Sequence, residues 1–259
     1  MSTLLIIWLL YRPRWLRPAQ TFLVHSRQFE FIFNLFFPYL LTRGPRCASP
    51  SPLSTDCVDA QQHHLKGEAN GLFKIKPGGA DGGVVEVYCR QEGLMGGWLL
   101  VQQRESGALD FNRSWAEYRG GFGSVDAAGR GEFWIGNRNL HLLTGGGETL
   151  LKVELEDWEG GAAGAEYTAA VGPEGEGFPL SVSGYLGDAG DALTPTHGGM
   201  NCAEVNGGGW WYNGCLSANL NGAYHHPPHR GEGGVVWSTY KPADYSLKAV
   251  RVFIRPAAF

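Results

Sequence analysis

From Thr55 onward the chain alternates short apolar runs with glycine-rich turns, a cadence of short strands rather than long helices. Gly97-Trp-Leu-Leu-Val-Gln-Gln-Arg104 is apolar over enough residues for a buried strand. Leu151, Val153 and Leu155 alternate with Lys152, Glu154 and Glu156, a period of two that predicts another strand. Val250, Val252 and Ile254 alternate with Arg251, Phe253 and Arg255 near the C-terminus in the same way. Glu154 and Glu156 share one strand face and Asp157 points the other way, so the three carboxylates read as a solvated sheet edge. Helical segments are short. Ser114-Trp-Ala-Glu-Tyr118 opens with an N-cap serine and places Glu117 at the third helical position, a capping box. Gly136-Asn-Arg-Asn-Leu-His-Leu-Leu143 has room for a further turn or two. The pattern predicts an α+β domain with antiparallel sheet and many loops.

Residues 1–54 are a different kind of sequence. Leu4 to Tyr11 is apolar, then Arg12, Arg14 and Arg17 interrupt it; Phe29 to Leu41 carries Glu30, Asn34 and Pro38. Neither run approaches the roughly 18–20 apolar residues that span a bilayer, so no membrane insertion is expected. No Lys or Arg precedes Leu4–Leu10 and no small-x-small cleavage site follows it. This stretch reads as a disordered leader, with an atypical secretion signal as the alternative. The globular domain is expected over 55–256.

Composition narrows the class. A chain of 259 residues can bury a full core. Its net charge of -4, with Lys and Arg scattered, gives no electrostatic case for nucleic acid. The 39 glycines follow no triplet period and aromatics are plentiful, which excludes a collagen-like fibre. None of the five cysteines forms a C-x-x-C, which argues against zinc ribbons and thioredoxin-type redox sites. Cys57 with Cys89, and Cys202 with Cys215, are sequence neighbours able to close loops, and cysteines used so belong to an oxidising compartment. Asn112-Arg113-Ser114 fits the glycosylation acceptor pattern and agrees with secretion. Cys47 is left over, as an intermolecular bridge or a free thiol.

The segment from Cys202 to Cys215 surrounds the triple glycine Gly207-Gly208-Gly209 and the run Trp210-Trp211-Tyr212. Glycines permit close backbone approach, and the aromatics bury large areas from few residues. Such a loop builds a surface for recognition. Catalysis finds no support: Gly-x-Ser-x-Gly, His-Glu-x-x-His, Walker and dinucleotide motifs are all missing from the sequence. His225, His226 and His229 flank Pro227 and Pro228, which prevent helical spacing, so they read as solvated loop histidines and not as metal ligands.

Several stretches, in order, resemble the fibrinogen C-terminal globular domain, a module also found in ficolins, angiopoietins and tenascins. They are Gly96-Gly97-Trp98, Asp110-Phe-Asn-Arg-Ser-Trp115, Tyr118-Arg-Gly-Gly-Phe-Gly123, Gly131-Glu-Phe-Trp-Ile-Gly136, Asn201-Cys202-Ala203, Trp210-Trp211-Tyr212, Asn219-Leu-Asn-Gly222 and Tyr245-Ser246. The likeness runs from Asp56 to Pro256. Leu155-Glu-Asp-Trp158, Ala165-Glu-Tyr167, Gly190-Asp-Ala-Leu193 and Ala243 to Arg251 are similar to the C-terminal domain of the extended fibrinogen alpha chain.

The resemblance implies a small N-terminal subdomain, a central antiparallel sheet with short helices, and a loop-rich C-terminal subdomain. The final strand, Leu247–Ile254, would return into the central sheet. It implies the disulfides Cys57–Cys89 and Cys202–Cys215, and a ligand pocket beside the second of them, with Asn201–Cys202 as a cis bond. That pocket would involve Asn201, Cys202, Trp210, Trp211, Tyr212, Leu216 and Glu232. Leu216 falls where the fibrinogen gamma chain has a pocket histidine, and Glu232 near that pocket's acidic residue. A cationic knob peptide needs more carboxylate than this. A neutral or acetylated ligand suits the aromatic face better. The family's acidic calcium loop is reduced here to Asp188 and Asp191, so no cofactor is expected. The implied function is a secreted, non-catalytic module of a fibrinogen assembly, with other fibrinogen chains as partners. The alternative is a ficolin- or angiopoietin-like domain that binds extracellular protein, glycan ligands or a receptor. With no heptad run for a coiled coil, the chain reads as a fragment or isoform of a fibrinogen chain.

Overall fold

Strand β3, Trp98–Arg104, runs through the interior of the sheet, and Leu99 to Arg104 are all buried. The structure is a computed structural model and describes residues 53–63, 69–79, 82–91, 96–194, 202–212, 215, 217–227 and 230–258. Cys47, Asn201, Leu216, His229 and nearly all of 1–54 lie outside the described residues.

Around β3 lies a nine-stranded antiparallel sheet. On one side come β2 (Val85–Arg90) and β1 (Gly71–Ile75); on the other come β11 (Ala249–Pro256), β6 (Thr149–Glu156), β7 (Ala162–Val171) and β8 (Leu180–Gly187). A hairpin of β4 (Phe122–Val125) and β5 (Gly131–Trp134) joins through β5 to β3. The C-terminal strand β11 is therefore clamped between β3 and β6, as the resemblance implied. A two-stranded ribbon, β9 (Ala218–Asn219) with β10 (Val236–Trp237), belongs to the loop-rich C-terminal part.

Strand β6 alternates buried and half-buried positions along its whole length, and Leu151, Val153 and Leu155 face the core. Val153, Val250 and Leu247 are fully buried. Each such side chain contributes roughly 1.5–3 kcal/mol of transfer free energy. On β11 the expected alternation fails. Phe253 and Arg255 are buried although they lie opposite Val252 and Ile254. The reason is a second covered face: Arg90 stacks on Phe253 at 4.2 Å, Arg255 stacks on Trp98 at 4.8 Å, and helix α1 (Cys57–His63) packs on β3 and β11. Gly97 admits that helix. It has φ +83°, and a Cβ there would sit 2.5 Å from a Val58 methyl.

The carboxylate trio is not a solvated edge. Strand β6 pairs on both sides, with β11 and β7. Glu154 pairs with Arg90 at 2.7 Å. Asp157 is only 3% exposed and accepts from Tyr240 Oη (2.8 Å), Lys241 Nζ (2.9 Å) and the Gly161 N–H (2.6 Å). Burial alone would raise its pKa, but Lys241, Tyr240 and Gly161 outweigh that and hold it at about 2.

Candidate binding site at the aromatic loop

Two short helices build one wall. Helix α2 (Trp115–Gly120) starts at Ser114, and the capping box forms: Ser114 N–H donates to Glu117 Oε2 (2.9 Å) and Ser114 Oγ accepts from the Glu117 N–H (3.4 Å). Arg113 adds a second contact to Glu117 at 2.9 Å. The Ser114 hydrogen bonds, then Arg113, lower the Glu117 carboxyl to about 2. Helix α3 (Asn137–Thr144) follows β5 and packs on α2 and β7.

The other wall is the loop closed by Cys202–Cys215. Cys57–Cys89 is also bonded, with Cα–Cα distances of 5.0 Å and 5.6 Å respectively. Helix α4 (Cys202–Asn206) opens the loop, and Asn206 Nδ2 donates to the carbonyls of Cys202 (3.0 Å) and Cys215 (3.2 Å). Tyr212 Oη donates to the Gly208 carbonyl at 2.6 Å, and burial raises its pKa. Gly209 lies against Tyr118, where an added Cβ would come within 2.9 Å of the ring. Asn221 Nδ2 donates to the Gly209 carbonyl at 2.8 Å and Gln102 Nε2 to Asn221 Oδ1 at 3.0 Å, which fixes the loop to β3.

Between the walls runs a chain of rings. Trp210 and Trp211 meet edge-on at 5.5 Å, Trp134 and Tyr118 edge-on at 5.8 Å, and Trp211 lies tilted against Trp134 at 5.8 Å. Trp134 Nε1 donates to the Tyr118 carbonyl (2.9 Å), Tyr118 Oη to the Phe111 carbonyl (2.7 Å), and Trp211 Nε1 to the Phe178 carbonyl (2.8 Å). Burial pushes the Tyr118 hydroxyl up to about 12. These rings border a cavity of about 390 Å3, whose wall includes Asn112, Arg113, Trp115, Asn137, Trp210 and Trp211. That volume lies at the small end of ligand pockets, roughly 300–1,000 Å3.

The structure thus brings Trp210 and Trp211 together with residues that the sequence reading did not group with them. Trp115 and Asn137 arrive from α2 and α3, and Arg113 from the turn before α2; the sequon whose serine is the N-cap of α2 is the one available signal. Tyr212 is spent on packing its own loop. Glu232 is exposed and does not line this cavity, and its carbonyl accepts from or faces His225 Nε2 at 3.2 Å. His226 packs edge-on against Tyr224 at 5.2 Å. Asp188 accepts from the Gly164 N–H (2.7 Å), and Asp191 from Tyr167 Oη (2.9 Å) and the Leu193 N–H (3.1 Å). These acids are committed to turns, and among the described residues no three His, Cys, Asp or Glu side chains converge as a metal donor set. No described helix is long and apolar enough to cross a membrane.

A staple-closed aromatic loop set on a sheet whose C-terminal strand is central marks a fibrinogen-type globular module. The family described as "Fibrinogen beta and gamma chains, C-terminal globular domain" matches residues 53–200 and 196–257, and the chain belongs to it. It is 48% identical to the fibrinogen alpha chain of Gallus gallus over 82% of this chain and 34% of that one. It is 39% identical to fibrinogen-like protein 1 of Bos taurus, over 73% of this chain and 69% of that one. Among solved structures, the fibrinogen-like globe domain of human ANGPTL6 superposes with TM-score 0.70 at 34% identity, covering 80% of this chain and 96% of that one. A lamprey fibrin D-dimer complexed with the peptide Gly-His-Arg-Pro-amide gives 0.72 at 29%, covering 90% and 85%. The chain spans about a third of the length of the fibrinogen alpha chains it matches (34% in Gallus gallus).

Proposed function

We propose that this chain is a secreted, non-catalytic binding module that serves as the terminal domain of an alpha-type chain in a fibrinogen assembly, and so in blood coagulation. The observation that carries the reading is the 48% identity to fibrinogen alpha chains, well above the 39% and 36% to fibrinogen-like protein 1 and angiopoietin-related protein 6. Its chemistry supports binding. Asn206 and Tyr212 in the aromatic loop are spent on backbone carbonyls, and among the described residues no nucleophile–base pair lines the cavity. The module works without calcium, since Asp188 and Asp191 are engaged by turns. It does not take a cationic knob peptide, since Glu232 lies outside the aromatic cavity. Residues 55–256 act as the folded unit.

A second reading is a free-standing recognition domain for extracellular ligands, favoured by the 96% coverage of the ANGPTL6 globe. Immunoprecipitation of the native protein from plasma separates the two. Co-precipitation of fibrinogen beta and gamma chains supports the first reading; recovery of this chain only with itself or a receptor ectodomain supports the second.

A further inference from the structure

Asn112 opens the glycosylation acceptor triplet and also forms part of the rim of the aromatic cavity. It is exposed, in a turn where its N–H donates to Asp110 Oδ1 at 2.8 Å. Three residues on, at the first position of α2, Trp115 lines the same cavity and is 56% exposed, unusual for so large an apolar ring. Deeper in the wall, two polar atoms have no hydrogen-bonding partner: Trp210 Nε1, a donor, and Asn137 Oδ1, an acceptor on a side chain only 7% exposed. Buried polar groups are nearly always paired, so a donor and an acceptor left over on one cavity call for a reason.

We infer that the cavity between α2, α3 and the Cys202–Cys215 loop is the seat of the first N-acetylglucosamine of a glycan carried by Asn112. The sugar has the required groups. Its acetamido carbonyl is an acceptor for Trp210 Nε1–H, its acetamido N–H is a donor for Asn137 Oδ1, and its apolar ring face suits Trp115. Both protein atoms are covered in this structure. Docking therefore requires the Asn137 amide and the Trp210 ring to turn toward the cavity they line, and the resonance shifts in the test below read that rotation. Attachment to Asn112 confines the sugar at the rim, which raises its effective concentration to the millimolar range without further contacts. A glycan seated this way shields the exposed Trp115 and stiffens the aromatic loop. The inference rests on the extracellular reading above, because the glycan is added only along the secretory route.

The test compares secreted protein trimmed enzymatically to a single N-acetylglucosamine with the Asn112→Gln variant. Mass spectrometry establishes occupancy, and Trp210→Phe assigns the Trp210 indole resonance. The expected result is a shifted Trp210 indole N–H and Asn137 side-chain amide, and a raised thermal midpoint, in the sugar-bearing form alone. Trp115→Ala diminishes the gain. Full occupancy with unmoved resonances and an unchanged midpoint overturns the docking and leaves the module reading intact. A secreted protein with Asn112 unmodified overturns it too. Failure of the native protein to be secreted at all sinks the extracellular reading instead. Free N-acetylglucosamine titrated into Asn112→Gln is the second arm. No saturation below about 1 mM is expected, and tight saturable shifts there would reassign the cavity to outside glycans.

Discussion

Arg104 on β3 donates from Nη1 to the carbonyl of Gly222 at 2.7 Å, joining positions 118 residues apart in sequence. The same guanidinium stacks on Phe111 at 3.9 Å and lies 3.6 Å from Glu132, and both charged side chains are almost wholly buried. Glu132 in turn accepts N–H bonds from Leu109 (2.7 Å), Gly107 (3.0 Å) and Glu105 (3.2 Å). Burial raises the Glu132 pKa and these backbone donors outweigh it, so the net shift is downward. This cluster holds the loop-rich C-terminal part to the sheet.

Arg104→Met removes one member of the buried pair and leaves Glu132 without its cation. A loss of about 3–5 kcal/mol is expected from urea unfolding. A loss under 1 kcal/mol would show that Gly222 is held by other contacts.

Gly97 faces Val58 with φ +83° and no space for a methyl. Gly97→Ala is expected to lower stability by roughly 1–3 kcal/mol through backbone strain, before any clash with α1 is counted. An unchanged unfolding midpoint would mean that α1 does not pack on this strand.

The Asp157 carboxyl, held at about 2, lies below its ordinary value of 3.8. Its folded pKa is depressed, so its contribution is complete above pH ~4 and lost as pH falls toward 2. Thermal midpoints measured from pH 5 to pH 2 should drop, and Asp157→Asn should drop less across that window while starting lower at pH 7. Parallel curves for the two proteins would contradict the assignment.

Calorimetric titration with calcium to ~1 mM, the range of weak extracellular sites, is expected to give no saturable heat. Gly-His-Arg-Pro-amide, the peptide in the lamprey D-dimer complex, is expected to behave the same way. Micromolar binding of either would restore a site that Asp188, Asp191 and Glu232 do not build.

Strand β6 could be read from the sequence because its alternation reflects one buried face over eight residues. Strand β11 could be read only by half. What covers Phe253 and Arg255 is Arg90 and Trp98, and neither is near them in sequence. Asp157 departs from its local pattern for the same cause: Tyr240 and Lys241 sit more than 80 residues away. At the site, Trp210 and Trp211 announce themselves by composition. Asn137 looks like an ordinary helix start until α3 is set against the loop, and Trp115 looks like a core residue until its exposure is seen.

Peptide mapping of the secreted protein under non-reducing conditions probes the central claim without intermediaries. In the chain-entropy account the longer cross-link contributes about 4 kcal/mol and the shorter about 3 kcal/mol, by constraining the unfolded chain. The prediction is two linked peptide pairs, Cys57 with Cys89 and Cys202 with Cys215. Free thiols at those four positions, or any other pairing among them, would contradict the account.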